Sequence, residues 1–223
     1  LYGGSIDLFR DLEAFGITTK YVEANNWNQI EEAISEHTKL IFAETIANPG
    51  LTVTDIEELS EMAHAHGIPL IVDNTTATPY LIQVLKHGAD IVVNSSSKYI
   101  NGSSNAISGI LTDGGKFKWD KKKYPGLADY VKYGPMAFVA KLRNGIFRNT
   151  GACLSPVNAY LNLIGLETLG LRMERQCQNA FELAHWIEDN YSDIIVNYPG
   201  LESSAWHDFA KEQFEHGYGA ILT

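Results

Sequence analysis

The chain has 223 residues, 45% of them hydrophobic and 20% charged, with a formal net charge of -10. That is the profile of an ordinary globular protein with one large domain and part of a second. The acidity repels nucleic-acid phosphates and anionic lipid surfaces, so neither is expected as a general partner. No apolar run approaches the roughly 20 residues that a membrane-spanning helix needs. The two cysteines, Cys153 and Cys177, form no CxxC pattern. Their sparse use fits a reducing cytoplasm better than a disulfide scaffold.

The chain opens on Leu1, with Tyr2-Gly3-Gly4-Ser5 reading as a loop entering a helix. It stops on Gly219-Ala220-Ile221-Leu222-Thr223, which reads as a strand cut short, so a piece of a longer polypeptide is expected. Residues 7–15 read as a helix stopped by Gly16, and Tyr21-Val22 as a short strand. Residues 28–34 are helical, and Leu40-Ile41-Phe42-Ala43 is a buried strand. Thr54-Asp55-Ile56-Glu57 reads as a capping box in which the Thr54 hydroxyl takes the free NH of Glu57. Its helix runs to about His66 and is stopped by Gly67 and Pro69. Leu70-Ile71-Val72 is the next strand, residues 80–87 a short helix before Gly88, and Ile91-Val92-Val93 a further strand. Near-continuous Ile/Val/Leu runs between helices predict parallel strands in an α/β, doubly wound sheet.

Beyond Gly115 the pattern changes. Residues 116–133, rich in Lys, Tyr and Gly, read as an exposed loop, and residues 136–147 as a helix. Ser155-Pro156 is a helix start, with Ser as N-cap and Pro in the first position. Helical periodicity then continues to about Asn190, with kinks expected at Gly165 and Gly170. From Ile194 the pattern returns to strand and loop. The expected division is a large domain over residues 1–168, and a connecting helix with the start of a smaller domain over residues 169–223.

In an open parallel sheet, ligands gather beyond the carboxyl ends of the strands. Glu44 and then Asn48-Pro49 come after the first long strand, Asp73-Asn74-Thr75 after the second, and Asn94-Ser95-Ser96-Ser97-Lys98 after the third. An aldehyde cofactor carrying a pyridine ring and a phosphate needs a lysine amine, a carboxylate for the ring nitrogen, hydroxyls for the phosphate and an aromatic stacking partner. Lys98, Asp73, Ser95, Ser97 and Tyr2 supply those groups. Asp73 and Lys98 lie one strand-helix-strand step apart. Taken singly, a lysine after a strand is ordinarily a solvated loop residue, and an Asp in Asp-Asn-Thr a turn former. The chemical reading rests on their meeting at one edge. No GxGxxG comes after a strand and no Walker-type loop occurs. The seven histidines are scattered, His64 and His66 point to different helix faces, and no metal site is expected. Lys121-Lys122-Lys123 reads as a solvated charge run.

At these residues the chain resembles the Cys/Met-metabolism family of pyridoxal-phosphate (PLP) enzymes. The matching stretches are Tyr2-Gly3-Gly4-Ser5, Glu44-Thr45-Ile46-Ala47-Asn48-Pro49, Val72-Asp73-Asn74-Thr75 and Ser95-Ser96-Ser97-Lys98-Tyr99. Leu154-Ser155-Pro156, Gly165-Leu166-Glu167-Thr168-Leu169, Arg172-Met173-Glu174-Arg175 and Tyr198-Pro199-Gly200-Leu201 extend the match. Asp113-Gly114-Gly115-Lys116-Phe117-Lys118-Trp119 and Gly151-Ala152-Cys153 are most similar to the O-acetylhomoserine sulfhydrylase branch.

The resemblance implies a fold type I large domain with PLP covalently held as a Schiff base at Lys98, which also shuttles protons. It implies Asp73 at the pyridine nitrogen, Tyr2 stacked on the ring and assisting proton transfer, and Ser95 and Ser97 at the phosphate. It places Asn48 near the ring hydroxyl, Thr75 beside the ring and Glu44 in the same cluster. The implied reaction is γ-replacement on O-acetylhomoserine by sulfide, giving homocysteine and acetate; γ-elimination, γ-synthase chemistry and a non-catalytic relative are the alternatives. The implied assembly is a homotetramer of dimers. Asn94 stands where His is common, Thr76 where Phe is common, Ser97 for the usual Thr, and Ser103-Ser104 where Gly-His is typical. The family's N-terminal arm, its Gly-containing phosphate loop and its substrate-carboxylate Arg are not among these residues, so this stretch alone is expected to be inactive.

Overall fold

The computed structural model describes all 223 residues. In chain order the elements are α1 (Gly3–Leu12), α2 (Trp27–Ala33), β1 (Ile41–Glu44), α3 (Ile56–Ala65), β2 (Leu70–Asp73), α4 (Thr78–Leu81), β3 (Ile91–Asn94) and β4 (Ile110–Asp113). They continue with α5 (Ala137–Leu142), α6 (Arg148–Thr150), α7 (Pro156–Glu167), α8 (Leu169–Asn190) and α9 (His207–Gln213).

The four strands form one sheet in the order β1-β2-β3-β4. The first three are parallel, with Ala43 beside Val72 and Val72 beside Val92, and β4 runs antiparallel to β3. The class is α/β with a mainly parallel sheet, as the apolar runs predict. No reversal of strand order, the mark of a doubly wound sheet, falls among these four strands. Because side chains alternate, Ala43, Leu70, Val72 and Val92 share one face, which is closed into a core with Ile56, Leu59 and Ala63 of α3. The opposite face carries Phe42, Glu44, Ile71, Asp73, Ile91 and Val93, and of these Glu44 and Ile91 are fully buried.

Several local expectations are corrected. Tyr21 and Val22 are half-exposed, have no strand partner and form no strand. Two residues of β-propensity without a partner cannot hold a ladder. The N-cap of α3 is Asp55, whose carboxylate accepts from the Glu58 NH at 3.1 Å. Thr54 instead turns inward, and its hydroxyl donates to the Glu44 carbonyl at 2.8 Å. The predicted helix over residues 80–87 is a single turn, α4, succeeded by turns up to Gly88. Residues 116–133 are not a bare loop. Phe117, Trp119 and Tyr124 interlock edge to face, and Phe138 stacks on Trp119 at 5.5 Å. The Lys123 ammonium is tied to the His66 carbonyl at 2.9 Å rather than free in solvent.

The long helical stretch breaks at Thr168, whose backbone leaves the helical region, while Gly165 and Gly170 stay inside helices. Both glycines serve close packing. A Cβ on Gly165 would collide with the Asn101 carbonyl, and one on Gly170 would press on the Tyr80 ring at 3.2 Å. Along α8, Leu169, Met173 and Cys177 belong to the main core, whereas Ala180 and Ala184 join Tyr198 and Leu201 in a second cluster. The predicted strands after Ile194 reduce to one antiparallel rung, Asn197 and Thr223 exchanging two backbone bonds at 2.6 and 3.0 Å. No helix is long and apolar enough to cross a membrane.

Candidate active site

The strand ends deliver the candidate residues to one edge. Glu44 closes β1 and Asp73 closes β2, and the two are register partners. Asp73 is also paired with Val93 of β3, so the turn bearing Lys98 leaves from the adjacent strand end. The one-step spacing of Asp73 and Lys98 therefore does correspond to neighbouring strands.

Lys98 is exposed on a tight turn, Ser95 to Gly102, closed by the Lys98 NH on the Ser95 carbonyl at 3.2 Å and the Gly102 NH on the Lys98 carbonyl at 2.8 Å. Its ammonium makes no hydrogen bond or ion pair within the chain, and sits 5.6 Å from the centroid of the Tyr2 ring. Tyr2 occupies the N-cap position of α1, and its NH donates to Glu44 Oε1 at 2.6 Å. The other Glu44 oxygen accepts from the Asn48 NH at 3.3 Å. One Asp73 oxygen accepts from the Thr75 NH at 2.8 Å, and the second has no partner in the chain. The Thr75 hydroxyl accepts from the Ser95 NH at 2.7 Å, joining the β2 and β3 ends.

The two flanking serines differ. Ser95 Oγ has no partner within the chain. Ser97 Oγ donates to the Ser108 carbonyl at 3.1 Å and accepts from the Ser108 NH at 2.7 Å, so its hydroxyl ties the turn to the segment before β4. Thr75, expected beside a ring, and Glu44 spend their oxygens on backbone NH groups.

Beneath the lysine lies a support that sequence reasoning assigned no role. Arg172 of α8 donates to the Tyr99 and Gly165 carbonyls, each at 2.7 Å, and to the Thr168 hydroxyl at 3.0 Å. Burial lowers its pKa from the ordinary arginine value. Asn101 donates to Asn162 at 3.0 Å and Asn162 to Ser108 at 2.8 Å, with Ser96 also on the Ser108 hydroxyl at 2.7 Å. Arg172 lies within a matched motif. Its link to the lysine turn could not be read from spacing, because the partners there are carbonyls some seventy residues earlier.

The donor set fits a pyridine aldehyde bearing a phosphate. It offers a free primary amine, a carboxylate oxygen without a partner on the adjacent strand end, an aromatic ring over the amine and an uncommitted hydroxyl. Asn94, in the usual His position, lies on the core side of the sheet, and its Nδ2 is buried without a partner.

Comparison with known proteins agrees with this chemistry. The model for the Cys/Met metabolism PLP-dependent enzymes matches residues 1–223. The homocysteine synthase of Schizosaccharomyces pombe is 42% identical over 100% of this chain and 55% of its own length. Among solved structures, the O-acetylhomoserine sulfhydrylase of Wolinella succinogenes superposes with a TM-score of 0.90 at 47% identity, covering 100% of this chain and 64% of that one. A putative O-acetylhomoserine (thiol)-lyase of Campylobacter jejuni, which carries a pyridoxyl-lysine phosphate, superposes with a TM-score of 0.90 at 35% identity over 100% of this chain and 59% of that one. The fold is that of the fold type I PLP-dependent enzymes. The chain belongs to the Cys/Met metabolism PLP-dependent enzyme family, and spans about half the length of the curated relatives it matches.

Proposed function

We propose that the protein is a PLP-dependent sulfhydrylase, replacing the acetate of O-acetyl-L-homoserine with sulfide to give L-homocysteine and acetate. The observation that carries this reading is the unpaired Lys98 ammonium under the Tyr2 ring, one strand from the half-free Asp73 carboxylate. The homocysteine synthase and sulfhydrylase names of its relatives support the reaction class.

PLP, when bound, supplies an electron-withdrawing ring that lets Cα lose its proton and the Cγ substituent depart. Lys98 would bind the cofactor covalently and, once displaced by substrate, move the proton at Cα. Asp73, through its free oxygen, would keep a proton on the pyridine nitrogen. Tyr2 would cover the ring face and assist proton transfer. Ser95 would donate to the phosphate, and Asn48 would reach the ring hydroxyl through its side-chain amide. Ser97, Thr75 and Glu44, also expected at the cofactor, act in this reading chiefly by shaping the loops that present the others.

A second copy is the proposed partner, forming a dimer or tetramer. Val157, Tyr160, Leu163, Ile164 and Leu166 of α7 are all largely exposed, which supports a covered surface there. Two unpaired cysteines support a reducing, cytoplasmic setting. A small domain beginning along α8 is part of this reading; the second hydrophobic cluster, from Ala180 onward, supports it, while Leu169, Met173 and Cys177 stay with the main core.

The test uses the full-length protein. It should show an absorbance band near about 420 nm that Lys98→Ala abolishes. A band that persists in Lys98→Ala sinks the assignment. Homocysteine formed from O-acetylhomoserine and sulfide, with no release from methionine alone, identifies replacement rather than elimination.

A further inference from the structure

Glu44 is a carboxylate that is only 6% exposed and has no cation beside it. Its two oxygens are spent on backbone NH groups of two different segments, Tyr2 at 2.6 Å and Asn48 at 3.3 Å. A forked anion suits that duty, because each oxygen accepts and both bonds are charge-assisted. An amide at the same position offers one acceptor, and its NH₂ would face a second NH. The Tyr2 NH lies at the N-cap of α1, so the anion also meets the positive end of the helix. The ring beyond that NH is seated from the other side by Gly4. A Cβ at Gly4 would stand 2.8 Å from Tyr2 Cε1, closer than side chains pack. Tyr2 is therefore held at its backbone by Glu44, the missing side chain on Gly4 leaves its ring the room to lie in this pose, and in that pose the ring lies over Lys98.

We infer that Glu44 and Gly4 are positioning residues that set the Tyr2 ring over the cofactor amine, and that Glu44 acts through Tyr2 and Asn48 rather than by touching the cofactor. This rests on the reading of Lys98 as the PLP lysine. Glu44 is the one member of the cluster whose charge has no chemical task in that reading, and its geometry supplies one. Placement of the ring controls how the cofactor is gripped and aligned, and small misplacements near a reacting centre cost on the order of a hundredfold in rate.

The experiment uses full-length protein loaded with PLP. The expected result for Glu44→Gln is an unshifted absorbance band with an unchanged pH midpoint, a smaller visible circular-dichroism signal, and loss of PLP about tenfold faster. A fall in kcat/KM of about 10- to 100-fold should accompany it. Gly4→Ala should give the same signature, and carries the test if Glu44→Gln does not fold. The double variant Glu44→Gln, Tyr2→Ala should lose no more than about threefold beyond Tyr2→Ala, that remainder being the part Glu44 exerts through Asn48. The inference is overturned by a displaced pH midpoint in Glu44→Gln, which marks direct contact with the cofactor. Multiplying penalties in the double variant, or an unaltered dichroism signal in both single variants, overturn it equally. A wild-type protein without the band, or a band that survives Lys98→Ala, removes the underlying reading instead.

Discussion

At the amino ends of β2 and β3, the Asp90 carboxylate is 4% exposed and committed to the fold through one oxygen: Oδ2 accepts the Leu70 NH and pairs with His64 Nε2, each at 2.8 Å. The Asp90 carbonyl accepts the Gly114 NH at 2.8 Å, and Ser60 donates to the Gly88 carbonyl at 2.8 Å. At the carboxyl ends of the same strands, the Lys98 ammonium, one Asp73 oxygen and the Ser95 hydroxyl have no partner in the chain. The backbone around those groups, by contrast, is pinned by Glu44, Thr75, Ser97 and Arg172. The contrast separates polar groups that hold the fold from polar groups kept available on a rigid frame. A buried polar group is tolerated only when it is satisfied, whereas a site needs groups left free to meet a ligand.

The largest expected effect is at the closed end. Asp90→Ala leaves the Leu70 NH buried without its acceptor and strips His64 Nε2 of its carboxylate. It should destabilise the protein by about 3 kcal/mol, read by urea unfolding. Molecules that remain folded should keep the cofactor band unchanged. A shifted band would show that the two ends are coupled and would break the comparison.

The two serines beside Lys98 sharpen it next. Ser95→Ala removes a hydroxyl that the fold does not use, so stability should hold within about 0.5 kcal/mol while PLP affinity falls about tenfold. Ser97→Ala removes a hydroxyl shared between two Ser108 backbone groups, so it should cost about 1 kcal/mol of stability. The readouts are PLP titration of the apoprotein and urea unfolding of both variants. If Ser97→Ala instead weakens PLP without loss of stability, its hydroxyl belongs to the open end.

The open end is largely legible in the sequence, because it depends on the residues just beyond three Ile/Val strands. Glu44, Asp73 and Lys98 fall where that rule places them. The support is not legible, because its contacts run between distant segments. Arg172 sits in a recognisable motif, yet its partners on the lysine turn are the carbonyls of Tyr99 and Ile100, which no side-chain pattern reports. Ser97 looks equivalent to Ser95 in the sequence, and only the Ser108 backbone packed against it tells the two apart. Gly165 and Gly170 read as kinks because only the neighbours, Asn101 and Tyr80, reveal that they are close approaches. Strand β4 gives no signal at all. Ile110 and Leu111 are exposed at 41% each, so neither alternation nor a buried run marks them, and pairing with β3 alone makes them a strand. The capping residue moves by one position, from Thr54 to Asp55, because Thr54 is drawn inward to β1.

The smallest effect concerns a fully buried polar atom that the closed end leaves without a partner. Asp113, beside Asp90 at the end of β4, has one oxygen on the Gly115 NH at 2.9 Å and the other buried without a partner. Burial pushes its carboxyl pKa up and the Asp90 charge adds to that, while the Gly115 bond opposes both. In the unfolded chain the group ionises at the ordinary carboxylate value, whereas folded it keeps its proton to higher pH. Between those two values the folded state binds more protons, so stability falls as pH rises through that window and stays lower above it. Asp113→Asn keeps the acceptor for Gly115 and does not titrate. It should raise stability at neutral pH by less than about 1 kcal/mol, the group being partly solvated. That advantage should close as pH drops below the ordinary carboxylate range. Urea unfolding of both proteins across that range is the measurement. An Asp113→Asn variant no more stable than wild type at neutral pH would mean that the unpaired oxygen is already met by solvent, and that the closed end has no defect to relieve.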